Sequence, residues 1–296
     1  MQNYIFFTDS SCDLPAEVFD TEGAEYYGLF YTIDGTIQLQ HSLKDILKAK
    51  EFYTAMKNGK LPRTSQITTE EFKTAWEPIL QKGKDILYYG ISSGLSGTYS
   101  SALLAANELI ETYKGRRIEV VDSLGGSGIL GLPYYLGLIK YKQGTTIDEM
   151  KTWLEYIKTK VCGLYTADDL FHLKRGGRIS TTSASLGTLL DIKPLLTMNK
   201  TGHVEQLEKI KTRKKVFKRM VQILSEHQIK NAGELSHTIH ITHGDCLEDA
   251  LALKDSILEA NNHIKNVIIS GLGPIIGAHL GPNCLGLNFI GNERLA

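Results

Sequence analysis

Asp85-Ile-Leu-Tyr-Tyr-Gly-Ile-Ser-Ser-Gly-Leu-Ser-Gly-Thr-Tyr-Ser-Ser-Ala102 is the stretch on which the fold turns. Asp85 to Ile91 is a short apolar run of the kind that is buried on both faces of a sheet. Small residues then turn the chain, and a helix follows. The first N–H groups of a helix lack intrahelical partners and carry the positive end of its dipole, so the turn reads as an anion site. Ser96 stands where an N-cap would stand, and Gly97 lets a ligand approach the backbone. The same residues serve equally as a plain helix start, and on this stretch alone both readings stay open.

A chain of 296 residues suits two domains, and 42% hydrophobic residues are enough to bury their cores. The 33 basic and 33 acidic residues cancel, which argues against nucleic acid or an anionic membrane surface as partner. A small molecule or another protein is expected instead. The N-terminus has no basic region before its apolar run, and no apolar stretch approaches the roughly 18 residues that span a bilayer. A soluble, cytoplasmic protein is therefore expected. Cys12, Cys162, Cys246 and Cys284 are far apart and form no CxxC pair, which suits reduced thiols and argues against structural zinc.

In chain order, Tyr4 to Thr8 reads as a buried strand ending in Asp9-Ser10-Ser11, and Tyr26 to Ile33 as a second. Ser42 to Asn58 is an amphipathic helix closed by Gly59. Leu61 to Gln66 reads as an extended loop before the capping box Thr68-Thr-Glu-Glu71, which places the Thr64 and Ser65 hydroxyls on a fixed segment. Arg117 to Val121 is a strand closing on Asp122-Ser123, followed by helices over Ser127 to Gln143 and from the capping box Thr146 to Glu149. Strands alternating with helices predict an α/β domain over residues 1–160 with a parallel sheet, in which ligands sit beyond the carboxyl ends of the strands. Those ends carry Asp9-Ser10, Ser92-Ser93 and Asp122-Ser123.

Residues 161–296 read as an α+β domain. Val161 to Thr166 is a strand, and Leu173-Lys-Arg-Gly-Gly-Arg-Ile-Ser180 is a basic glycine loop. Ile192 to Met198 and His203 to Ile210 pair around Asn199 to Gly202, before a basic helix from Thr212. A strand at Thr238 to Thr242, a helix at Leu247 to Asn261, a strand at Val267 to Ser270 and a glycine-rich return over Gly271 to Gly286 complete the reading.

Several motifs fail in context. Gly126-Ser-Gly-Ile-Leu-Gly131 fits GxGxxG after a strand, but the second strand ending in an acid is missing, because Thr146 to Trp153 reads as helix. Gly94-Leu-Ser-Gly-Thr98 begins like a nucleophile elbow yet ends in threonine, leaving a serine hydrolase with Ser96 and His279 only as an alternative. His237, His240 and His243 cannot share a metal from one strand, since alternate positions face opposite ways, and they read as edge or surface histidines. Lys211-Thr-Arg-Lys-Lys215 reads as a solvated basic run. His279, between glycines at a strand-to-helix return, is free to reach a ligand.

Thr8-Asp-Ser-Ser-Cys-Asp-Leu14, Pro62-Arg-Thr-Ser-Gln66, Ile91 to Ala102, Val121-Asp-Ser123, Leu173 to Ser180, Ile192-Lys-Pro-Leu-Leu196 and Gly273-Pro-Ile-Ile-Gly-Ala-His279 together resemble the DegV family, in the family's order and over nearly the whole chain. The resemblance implies a bacterial, cytoplasmic fatty acid-binding protein, a FakB-like subunit of a fatty acid kinase system. Such a protein holds a long-chain fatty acid in a tunnel between two domains. It presents the carboxylate to a separate ATP-binding kinase subunit, which makes acyl phosphate for phospholipid synthesis. No cofactor or metal of its own is implied, and ATP belongs to the partner.

Carried over, the resemblance implies Thr64, with Ser65 beside it, Ser96 and the Gly97 amide as carboxylate ligands, with His279 near the head group. Arg213 is implied in transfer or kinase docking. Arg175 and Arg178 are assigned a structural role, and Lys174, Arg175, Arg213 and Lys214 mark the expected kinase-facing surface. Ile67 stands where the family often has proline, and Gly281-Pro-Asn283 where it usually has Gly-Pro-Gly.

Overall fold

The computed structural model describes residues 3–21, 23–39, 46–168, 170–179 and 192–296. The first half contains β1 (Tyr4–Asp9), β2 (Ala24–Tyr27), β3 (Phe30–Ile33), β4 (Thr36–Leu39), α1 (Ile46–Lys57), β5 (Arg63–Thr64), α2 (Thr69–Gln81), β6 (Asp85–Gly90), α3 (Thr98–Thr112), β7 (Ile118–Asp122), α4 (Gly128–Lys142) and α5 (Ile147–Ile157). A four-stranded parallel sheet has the order β2-β1-β6-β7. Alternate residues of its strands enter different cores: Phe7, Ile86 and Tyr88 face the α2 and α3 side, while Phe6, Leu87 and Tyr89 face α4 and α5. Burial on both faces is why these strands read as unbroken apolar runs. Both capping boxes form, at Thr68 with Glu71 and at Thr146 with Glu149.

The expected single strand from Tyr26 to Ile33 is two strands of different sheets. The Leu29 amide donates to Ser10 Oγ at 2.9 Å, which catches the chain at the sheet edge and turns it outward. β3 then joins a small antiparallel sheet of order β4-β3-β5, so the expected loop at Leu61 to Gln66 contains a strand, with Thr64 opposite Tyr31. Of the predicted helix Ser42 to Asn58, residues 42–45 lie outside the described residues.

The second half contains β8 (Val161–Thr166), α6 (Phe171–Arg175), β9 (Ile192–Met198), β10 (Val204–Lys211), α7 (Arg213–His227), α8 (Glu234–His237), β11 (Thr238–His243), α9 (Leu247–Ala260), β12 (Asn266–Gly271), α10 (Pro274–Leu280) and β13 (Leu285–Ile290). Its six-stranded mixed sheet has the order β10-β9-β8-β13-β11-β12. The sequence reading assigns no strand to Leu285–Ile290, a segment that contains Gly286 and Asn288. Both are packing requirements: a Cβ at Gly286 would lie 2.5 Å from Thr242 Oγ1, and Asn288 receives the Tyr165 hydroxyl at 2.6 Å. The histidine reading is corrected as well. β11 lies between β13 and β12, so His240 is fully buried and pairs with Ser270 Oγ at 2.7 Å instead of lying at an edge. Ser180, which ends the basic glycine loop, lies outside the described residues.

α4 joins the halves. Leu130, Tyr134, Leu138 and Tyr141 pack with the parallel sheet, while Ile129, Leu132 and Leu136 pack with β8 and its neighbours. A helix apolar on every side has no solvent face, and this one is sandwiched. Packing also explains the failed nucleotide motif at its start. A Cβ on Gly128 would lie 2.0 Å from Asn288 Nδ2, and one on Gly131 would lie 2.3 Å from the Cys12 carbonyl oxygen. Gly131→Ala should therefore lower unfolding free energy by about 1–3 kcal/mol, read from urea denaturation, and an unchanged midpoint would show that the Cys12 segment yields freely.

Candidate functional site

Between the exits of the parallel sheet and the second half lies a cavity of about 250 Å³. Ile91, Leu95, Leu196, Met198, Ile275 and Ile276 supply apolar wall from both halves. The hairpin joining β9 to β10 closes one side, and its turn is held where Ser92 Oγ donates to the Gly202 carbonyl at 2.8 Å.

Polar groups gather on other parts of the wall. Thr64 Oγ1 lies 2.9 Å from His279 Nε2, a bond spanning 215 residues of chain that ties the first half to α10. Ser65, Gln66, Ser96, Gly97 and Arg178 also line the cavity. Ser96 is one position earlier than an N-cap: Gly97 holds that place, and Ser96 Oγ accepts from the Thr98 amide at 3.2 Å and pairs with Thr98 Oγ1 at 2.9 Å. Gln66 packs against Gly97, where a Cβ would come within 2.1 Å of its amide oxygen, and Gln66 Nε2 donates to Ser101 Oγ at 3.1 Å. The nucleophile–base bond that a serine hydrolase needs is not formed, since Ser96 is engaged by Thr98 and His279 by Thr64.

The two acid–serine clusters at the strand ends hold loops. Asp9 accepts from the Ile91 amide at 2.9 Å and the Tyr88 hydroxyl at 2.7 Å, while Asp122 accepts from the amides of Ser93 and Leu124. The departures from the family pattern also have local reasons. The Ile67 amide, which proline would lack, donates to Thr98 Oγ1 at 3.2 Å. Asn283 occupies a left-handed conformation at φ 60°, tolerable for asparagine, and its Nδ2 donates to Asp168 Oδ2 at 2.7 Å.

Arg178, to which the resemblance gives a structural role, also lines the cavity, with Nε donating to the Leu95 carbonyl at 3.1 Å. Its signal was a cation beside paired glycines. Arg175 turns inward to the carbonyls of Pro62 at 2.8 Å and Ala278 at 3.3 Å. Arg213 is not a wall residue; it pairs with Asp249 at 2.6 Å and donates to the Asn283 carbonyl at 2.8 Å. Lys174 and Lys214 are exposed. Ser127 and Tyr165, which the sequence did not single out as site residues, also line the cavity.

Burial, with Arg178, Arg175 and His172 nearby, pushes the His279 imidazole down to about 4. It is neutral at pH 7. Between 6.5 and about 4 the unfolded chain takes up a proton here that the folded chain refuses, so this site's contribution to stability falls as the pH is lowered through that window. An NMR titration should place the His279 midpoint near 4, and Arg178→Gln should raise it. A midpoint near 6.5 would contradict this account.

Fold and site define a class: an α/β protein with a parallel sheet and a mixed sheet joined about an apolar chamber that carries uncharged hydrogen-bonding groups and an arginine on its wall. The sequence pattern of the family described as "Uncharacterised protein, DegV family" matches residues 5–292, and the chain belongs to the DegV family. A DegV domain-containing protein of Clostridium perfringens is 40% identical over 297 residues, 99% of each chain. One of Streptococcus pyogenes is 35% identical over 294 residues, 98% of this chain and 99% of its own. Among solved structures, DegV of Bacillus subtilis, described as a fatty acid binding protein, has a TM-score of 0.83 at 27% identity, covering 99% of this chain and 100% of its own. A DegV family protein of Thermus thermophilus, described by its fatty acid binding, has a TM-score of 0.84 at 26% identity over 98% and 100%. Among the described residues no helix is long and apolar enough to cross a membrane.

Proposed function

We propose that the protein binds a long-chain fatty acid with its tail in the interdomain cavity, and presents the carboxylate to a separate ATP-binding kinase subunit for conversion to acyl phosphate. The observation that carries the reading is the joining of an apolar chamber to the Thr64–His279 pair and the start of α3. Relatives of the same fold that are described as fatty acid-binding support it.

The energetics suit capture from dilute solution. At about 0.8 kcal/mol per methylene, roughly fourteen buried methylenes supply on the order of 11 kcal/mol before ordering costs. The carboxylate then needs donors, because a buried anion without them costs several kcal/mol. If neutral His279 donates from Nε2 to Thr64 Oγ1, the Thr64 proton is free to point at the ligand. Ser96 Oγ and the Gly97 amide add donors from the helix start. Neutral donors leave most of the carboxylate's charge available for attack on a γ-phosphate. Arg213, off the cavity wall, is assigned to meet charge that develops during transfer.

Mass spectrometry of lipid extracted from the purified protein should find a stoichiometric fatty acid, and an empty extract that stays empty after incubation with palmitate would reject the reading. Thr64→Val and Ser96→Ala should each weaken binding about ten-fold. Arg213→Ala should leave binding intact while slowing acyl phosphate formation with the kinase; equal loss of both would remove Arg213 from the transfer step.

A further inference from the structure

Asp13 lies outside the cavity wall, in the turn that follows β1, at φ 51° and 1% exposed. Its carboxyl Oδ1 accepts from the Gly273 amide at 2.9 Å, 260 residues away. Its main-chain carbonyl accepts from Ser270 Oγ at 2.5 Å, and that hydroxyl pairs with His240 Nε2 at 2.7 Å. Gly273 is the N-cap position of α10 and has no side chain to satisfy the helix end. The cap is supplied from the other half of the molecule.

α10 is only seven residues long, too short to hold its shape without tertiary anchors. It brings Ile275, Ile276 and His279 to the cavity. Besides the Asp13 bond, Tyr53 donates to the Leu272 carbonyl at 2.9 Å just before the helix, Arg175 donates to the Ala278 carbonyl, and His279 pairs with Thr64. Of these, the Asp13 bond fixes where the helix begins.

We propose that Asp13 is a positioning residue of the binding site: by capping α10 across the domain junction it sets the register of that helix, and with it the placement of His279 against Thr64. The proposal rests on the fatty acid reading for its ligand but not for its geometry. Burial raises the Asp13 carboxyl to about 8, against the pull of the Gly273 amide, so at pH 7 the group is chiefly a neutral acid. Asparagine reproduces both the neutral acid's carbonyl acceptor and its tolerance of a left-handed backbone. Glycine keeps the backbone but removes the acceptor.

The test compares Asp13→Asn and Asp13→Gly in the full chain. The readouts are palmitate affinity, by displacement of a fluorescent fatty acid, and the NMR resonances of the His279 ring. Asp13→Asn should stay within about three-fold of wild type with the ring signals unmoved, whereas Asp13→Gly should lose about ten-fold and shift them. Wild-type affinity and ring signals in the glycine variant would overturn the proposal, as would an equal loss in both variants. If the wild-type protein itself fails to bind palmitate, the fatty acid reading falls, while the ring signals still decide the positioning role. Should the glycine variant not fold, amide exchange at Gly273 decides: protection in wild type and in Asp13→Asn supports the bond, and fast exchange in wild type overturns it.

Discussion

A helix with no polar face has only one stable place, between two apolar surfaces, and α4 imposes that condition on the whole molecule. Leu130 and Tyr134 need the parallel sheet while Ile129 and Leu132 need the mixed sheet, so the halves cannot separate without exposing one row or the other. Once they are joined along α4, the loops at the sheet exits face the second half. Thr64 and Ser96 then look onto the same cavity as His279.

Around that junction, charged groups are used to hold loops. Asp9 accepts from amides and hydroxyls, and Asp122 from amides. Arg294, 4% exposed, faces carbonyls instead of a carboxylate: Lys158 at 2.9 Å, Leu124 at 2.9 Å, Asn199 at 3.1 Å and Ser123 at 3.1 Å. A buried cation is tolerated when carbonyls take up its donors, and here such bonds tie the β7 exit to the β9–β10 hairpin. The cavity wall is consequently left with mostly neutral hydrogen-bonding groups, and burial, reinforced by the field of Arg178 and Arg175, keeps His279 uncharged.

Much of the first half was legible because its signals are local. Capping boxes at Thr68 and Thr146 act within one helical turn, and strands buried on both faces show as apolar runs. What failed were features set by distant partners. Leu29 is stopped by Ser10, β13 is completed by Thr242 and Tyr165 filling the space over Gly286, and His240 is buried by strands on both sides. None of these leaves a periodic trace. The GxGxxG stretch, set aside as a nucleotide site on its sequence context, gets its glycines from the same kind of partner, since they answer to Asn288 and the Cys12 carbonyl, neither of which is near in sequence.

The sequence by itself determined that strands and helices alternate through the first half, that hydroxyls stand at Thr64 and Ser96 shortly before helix starts, and that the chain resembles one family throughout. Those facts depend on residue type and short spacing. Only the tertiary structure decided that Thr64 meets His279, that Arg178 faces the cavity while Arg213 does not, and that Asp13 caps a helix 260 residues away. Such contacts form only where two separately folded surfaces come together, and the packing of a shared core, unlike the propensity of a segment, depends on every residue that fills it.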